Sequence, residues 1–349
     1  MMKFPPGFPA GFPHARRVVA LYAVLIAANL GVWIWAWVAL HGRPALIGSA
    51  FLAYSFGLRH AVDADHIAAI DNVTRKLMHD GQRPIGTGLF FALGHSAVVL
   101  IVTMLIALTA TAASGIEAFK ATGGLVSTCI SAFFLFTIAA MNLMILRSVY
   151  RTYRRVVAGG VYVEEDLDML LAGRGIMARL LRPLFRFVRH SWHMAPLGFL
   201  FGLGFDTATE VGLMGLAAAQ AAQGVSMGVV FLFPSLFAAG MTLVDTTDGI
   251  LMLGAYEWAF VKPIRKLYYN MTITLVAALV AILIGGIETL ALIAQQMRLT
   301  GPLWDFFRDL AGRFNLLGFA IVGLFIASWA LSWIVYRLKR LDLVEVVQP

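Results

Sequence analysis

Six stretches of the chain contain no Asp, Glu, Lys or Arg: 18–41, 84–116, 121–146, 211–244, 267–287 and 314–336. Each is long enough to cross a bilayer as a helix, which takes about 20 predominantly apolar residues. Two further apolar stretches, 44–58 and 190–205, are shorter and run into ionisable residues, RHAVDADHI at 59–67 and DTATE at 206–210. They complete an eight-span bundle only if those charged segments lie inside the membrane. Eight spans use roughly 160 to 180 residues, a comfortable fit to 349. The expected fold is therefore an all-α polytopic membrane protein, with 1–349 forming one membrane domain.

The cationic residues orient this bundle. With the N-terminus in the cytoplasm, the inside segments collect Lys3, Arg16 and Arg17, then Arg75, Lys76 and Arg83, nine arginines from Arg147 to Arg189, then Lys262, Arg265 and Lys266, and finally Arg337, Lys339 and Arg340. That is 21 of the 27 Lys and Arg, against five outside: Arg43, Lys120, Arg298, Arg308 and Arg313. Arg59 falls within a span. Removing either short span inverts half the chain and destroys the bias, so both termini are expected in the cytoplasm.

Composition agrees. Hydrophobic residues make up 60% and charged residues 13%, with a mean hydropathy of +0.81, where a soluble domain carries about 25% charged residues. An ordinary soluble enzyme, a disordered chain and a coiled coil are excluded. One cysteine, Cys129, makes no intrachain disulfide. The net charge of +8 is explained by loop arginines facing anionic lipid, without nucleic acid. Residues 1–17 read as a cytoplasmic tail ahead of a retained first span, because no clear small-residue cleavage site follows. The loop 148–194 holds leucines and aromatics at helical spacing among arginines, the pattern of an interfacial amphipathic helix. FGLRHAVDAD (56–65) and FGLGFDTATE (201–210) share FGL and an acidic tenth residue on oppositely directed spans. That suggests inverted three-span repeats, spans 2–4 and 5–7.

The chemistry lies in residues that a bilayer does not tolerate for free. Arg59, Asp63, Asp65, Asp206, Glu210, Asp245 and Asp248 each cost about 2.5–3.5 kcal/mol at the bilayer centre even on a mild insertion scale. They must face one another, a water-filled cavity or a cation. On an ideal helix His60, Asp63 and His66 share a 120° arc, while Asp65 faces elsewhere unless the helix is broken. Arg59 lies one turn before Asp63, so an Arg59–Asp63 ion pair is the alternative account of that aspartate. His95 in span 3 lies at a similar depth. Asp206 and Glu210 share a face of span 5, and Asp245 and Asp248 a face of span 6. Such pairs suit a cation or a shared proton, or a hydrogen-bond network with Thr207, Thr209, Thr246 and Thr247. Asn29 in span 1 is either a packing hydrogen bond or a support for the site, and Glu288 reads as interfacial. Mixed nitrogen and carboxylate donors favour Co²⁺, Ni²⁺, Cu²⁺ or Zn²⁺ over Mg²⁺ or Ca²⁺. The residues alone carry the argument as far as an intramembrane transition-metal site.

Four segments, RHAVDADHI, LGHSAVV (93–99), GLGFDTATE (202–210) and GMTLVDTTDG (240–249), fall in that order on spans 2, 3, 5 and 6. Together they resemble the signature segments of the nickel/cobalt transporter (NiCoT) family, from about span 1 to the C-terminus. The resemblance implies a secondary permease taking up Ni²⁺ and/or Co²⁺ across a bacterial cytoplasmic membrane, with the metal as transported substrate and no permanently bound cofactor. It also implies His60, Asp65, His66 and His95 as leading metal-site residues, supported by Asp206, Glu210, Asp245 and Asp248. Related efflux permeases share a similar second-span motif, so outward transport is the alternative. A metal-dependent intramembrane enzyme is a weaker one, since none of the eight histidines sits in HExxH. No GxxxxGK[ST] is present, so this chain offers no ATP site of that kind.

Overall fold

The computed structural model describes residues 15–108, 113–157, 188–203, 208–259 and 263–338. The elements in these residues are helices: α1 (Ala15–Ala39), α2 (Pro44–His60), α3 (Ala64–His79), α4 (Thr87–Leu108), α5 (Ala113–Val157), a short 3₁₀ turn at Ser191–His193, α6 (Met194–Phe201), α7 (Ala208–Ala222), α8 (Met227–Ala259), α9 (Pro263–Gln296), α10 (Pro302–Ala311) and α11 (Phe314–Leu338). Among the described residues there is no strand.

Five helices are long and apolar enough to cross a membrane unaided, through 15–39, 87–105, 128–156, 227–257 and 271–296. A sixth candidate is the pair α10 and α11, bent by 76°. The two short apolar runs enter as broken helices. α2 has 17 residues, about 25 Å at 1.5 Å per residue, and stops at His60; the chain turns through Ala61–Asp63 and restarts as α3. α6 has only eight residues, and α7 begins at Ala208. Residues 204–207, which include Asp206 and Thr207, lie outside the described residues. So do 1–14 and 158–187, and with them most of the cytoplasmic tail and the expected amphipathic helix. The first ten residues of the expected 148–194 loop continue α5.

α8 is the central strut, packed against α1, α2, α3, α4 and α7, while α5 and α9 form a long pair on the other flank. Large apolar side chains such as Val24, Leu30, Ile34, Trp37, Leu105, Phe133, Leu279 and Leu283 stay exposed on the outer faces, as a lipid-facing surface requires.

α3 overturns one expectation. Arg75 and Lys76 do not lie in a cytoplasmic loop: both are on α3 and both are buried. The cause is polar satisfaction inside the bundle. Lys76 Nζ donates to Asp80 at 2.7 Å and to the Val188 carbonyl at 2.8 Å, and Arg75 Nη2 donates to Asn72 Oδ1 at 2.9 Å. Glu288, read as interfacial, is also enclosed by protein. It is buried between α5 and α9, where Ser131 Oγ donates to it at 3.0 Å.

The break after His60 is held by α11. A Cβ added to Gly318 would lie 1.6 Å from the Val62 carbonyl oxygen, so only glycine admits the unwound backbone there. Similar close approaches bind α2 to α8 and α4 to α6, and they bear on the repeat discussed below.

Candidate metal centre

His60 is the last residue of α2, His66 lies in the first turn of α3, and His95 lies on α4. The break between the first two, together with the packing of α4 on α8 and α6, brings three imidazoles from separate elements into one buried triangle. Ring centroids are 4.7 Å apart for His60 and His66, 4.8 Å for His60 and His95, and 4.8 Å for His66 and His95. One nitrogen from each ring lies within 4.8 Å of the others, and none of the three residues is more than 3% exposed.

Two of the rings are aimed by a carboxylate on Nδ1. Asp63 has an extended backbone, ψ 145°, at the position that caps α3, the ordinary place for an aspartate to accept helix N–H bonds. It makes no capping bond. Instead its Oδ2 lies 2.9 Å from His60 Nδ1, and Thr209 Oγ1 lies 3.2 Å from the same nitrogen. Asp245 on α8 holds His66 in the same way, with both oxygens 3.2–3.3 Å from Nδ1. A carboxylate on Nδ1 fixes that nitrogen as the N–H and leaves Nε2 as a lone-pair donor, the usual arrangement around metal-bound histidine. His66 Nε2 is buried and has no hydrogen-bond partner among the described residues. His60 Nε2 faces His95 Nε2 at 3.0 Å, about the separation of two nitrogens each ~2.1 Å from a common ion at a right angle. Glu210, in the first turn of α7, places Oε1 3.0 Å from His95 Nε2 and 3.8 Å from His60 Nε2. Phe91 packs edge-on against His66 at 4.8 Å, and Phe237 lies 5.4 Å from His60, so the surroundings are otherwise apolar.

The other candidates stand apart from this triangle. Asp65, in the first turn of α3, is half-buried and has no hydrogen bond among the described residues. Arg59 does not pair with Asp63: it is exposed on α2, and Asp63 is taken by His60. Asn29 is a packing group, with Nδ2 donating to the Leu25 carbonyl at 2.9 Å and Oδ1 accepting from Tyr54 at 3.0 Å. Asp248 lies three residues beyond Asp245 on α8 and has one buried oxygen without a partner. The sequence reading missed Asp71, Asn72 and Arg75. Their signal was polar residues at helical spacing, directly after His66, in a segment otherwise taken to be leaving the membrane.

Comparison with known proteins agrees with this chemistry. Residues 46–335 match the family model described as high-affinity nickel-transport protein, NicO. The chain is 56% identical to the high-affinity nickel transport protein of Cupriavidus necator over 337 residues, covering 96% of each. It is 43% identical to the nickel transporter NicT of Mycobacterium tuberculosis, covering 93% of this chain and 90% of the relative. It is 39% identical to the cobalt transport protein NhlF of Rhodococcus rhodochrous, covering 93% of each. No solved structure matches the chain.

Proposed function

The chain belongs to the high-affinity nickel-transport family, and on that premise we propose that it is a secondary permease carrying Ni²⁺ and/or Co²⁺ into the cell through the imidazole triangle. The observation that carries this reading is the convergence of one nitrogen from each of three buried imidazoles, with the Nδ1 sides of His60 and His66 held by carboxylates. In this account His60, His66 and His95 are the nitrogen ligands and Glu210 supplies an oxygen. Asp63 and Asp245 orient the rings, and Asp65 adds negative charge beside His66. The metal is cargo, no resident cofactor is required, and the chain acts as a transporter and not as an enzyme. A negative-inside potential favours dication entry by about 4.6 kcal/mol per 100 mV, so uptake proceeds without ATP.

Selectivity follows from the donors. Imidazole nitrogen suits Ni²⁺ and Co²⁺, whereas Mg²⁺ prefers all-oxygen shells and dehydrates reluctantly. A roughly thousandfold excess of Mg²⁺ or Ca²⁺ is therefore expected to leave radionickel uptake nearly unchanged, while excess Co²⁺ competes. Strong competition by Mg²⁺ with none by Co²⁺ would move selectivity from the histidines to the carboxylates.

We further propose eight spans in a bacterial cytoplasmic membrane, with α2–α3 and α6–α7 crossing as broken helices and both termini inside. The support is the distribution of Lys and Arg, 21 to 5 in favour of the inside and still 19 to 5 when the buried Arg75 and Lys76 are set aside. Reporter fusions near 42, 118, 223 and 303 should report the outside, and an outside location for the 148–194 loop would refute the topology.

Packing supports the inverted repeat, in a register one helical turn from the FGL match. An added Cβ would lie 2.0 Å from Phe237 O at Gly57 and 2.8 Å from Tyr54 O at Gly240, where α2 meets α8. Where α6 meets α4, it would lie 2.1 Å from Phe91 O at Gly198 and 1.9 Å from Ala195 O at Gly94. Tyr54 and Gly57 thus correspond to Ala195 and Gly198, and the helix ends His60 and Phe201 keep the same offset. FALG (91–94) corresponds to FAAG (237–240). Discontinuous helices at a repeat interface are where many transporters bind their ions.

A further inference from the structure

α3 and α8 run side by side beyond the imidazoles. His66 meets Asp245, and Gly249 packs toward Ile70, a Cβ there lying 3.4 Å from Ile70 Cγ2. This register continues toward the end of the bundle where Arg83 Nη1 pairs with Glu257 at 2.9 Å. Along it lies a second set of polar side chains. Asp71 on α3 is fully buried, and one of its oxygens accepts from Tyr256 while the other has no partner. Asp248 on α8 precedes Gly249 as Asp71 follows Ile70, so the contact of Gly249 with Ile70 sets the two aspartates at one level of the α3–α8 seam, and Asp248 too has a buried oxygen without a partner among the described residues.

The decisive neighbour is Arg75, 2% exposed and four residues after Asp71. A buried aspartate and a buried arginine at that spacing satisfy each other most cheaply by pairing. Here they do not pair. Asn72 Oδ1 takes Arg75 Nη2 at 2.9 Å and is itself held by Asn142 Nδ2 at 2.6 Å, while Arg75 Nε and Nη1 find no acceptor among the described residues. The guanidinium is tethered to Asn72 and not to Asp71, so one oxygen of Asp71 is left without a partner among the described residues.

We propose that Asp71 and Asp248 form a second station for the transported dication, an all-oxygen site between the imidazole triangle and the release side. This rests on the permease reading above. The tethered Arg75 supplies positive charge that weakens the station, and a site on a conduction path must bind well enough to be entered and weakly enough to be left. Oxygen donors without imidazole also hold Ni²⁺ less firmly than the triangle does, so the cation passes from a tighter site to a looser one.

The test is binding of ⁶³Ni²⁺ to the full chain in lipid nanodiscs, paired with ⁶³Ni²⁺ uptake into cells. Wild type should bind one ion tightly and a second more weakly. Asp71→Asn and Asp248→Asn should each remove only the weaker ion and lower the maximal uptake rate by about tenfold or more with little change in KM. Asp71→Glu, which keeps the carboxylate, should restore part of both. His66→Ala should remove the tight ion and spare the weak one. A wild-type maximal rate in Asp71→Asn would overturn the proposal, and so would loss of the tight ion along with the weak one. If Asp71→Asn fails to reach the membrane, Asp248→Asn decides alone, and retention of both ions in it refutes the station. Retention of the tight ion in His66→Ala would instead refute the permease site.

Discussion

His66→Ala is expected to lose uptake of trace Ni²⁺ by more than about 100-fold, the upper end of what losing a mere supporting group costs, while still reaching the membrane. His66 Nε2 is buried with no hydrogen-bond partner among the described residues, in a ring packed against the other two imidazoles, so removing it deletes a free nitrogen donor. The ring is also wholly buried between Phe91 and Asp245, and its loss leaves the Asp245 carboxylate without the N–H it holds. His95→Ala should behave similarly, because it removes a nitrogen 3.0 Å from both His60 Nε2 and Glu210. His41→Ala, at an exposed position, serves as the control and should keep near-normal uptake. Initial-rate uptake with quantified membrane expression reads the effect. Near-normal uptake in His60, His66 and His95 single variants would contradict the site.

The second large effect is expected at the carboxylates behind the rings. Asp63→Asn and Asp245→Asn should each raise the KM for Ni²⁺ about 10- to 100-fold, the usual cost of losing a group that orients a metal-bound histidine. Asparagine keeps the shape but not the charge, and its amide places a donor against Nδ1–H as readily as an acceptor. The ring then loses both its fixed tautomer and the basicity that an anion on Nδ1 confers. Asp63 adds a diagnostic of its own. It occupies a helix-capping position without capping, so Asp63→Ser, a good cap residue, should preserve folding and still weaken uptake. Uptake unaffected by either substitution would show that the rings are set by packing alone.

What the sequence made legible, and what it hid, follows from helix geometry. His60, Asp63 and His66 fall on one arc of an ideal helix, and His95 reaches a similar depth from span 3, so the nitrogen donors were readable from spacing and burial cost. The break at Ala61–Asp63 was not, because nothing in AVDA forbids a helix and the unwound turn depends on Gly318 of a distant element. That break separates Asp63, which orients His60, from Asp65, which the family resemblance favours and which holds no ring. The charged residues of α3 were misplaced for a related reason. A helix carrying Asp71, Arg75 and Lys76 looks like an exit from the membrane until Asn142, Tyr256 and the Val188 carbonyl arrive from elsewhere in the chain to satisfy it. The repeat was visible as FGL, but its register was set by which glycines admit a neighbouring backbone, and short motifs do not carry that information.

The most direct test of the central claim is nickel X-ray absorption spectroscopy on the purified, Ni²⁺-loaded chain. With only the tighter site filled, the account predicts imidazole scattering from three histidines plus an oxygen shell, matching His60, His66, His95 and Glu210. An all-oxygen nickel shell with no imidazole scattering would contradict it.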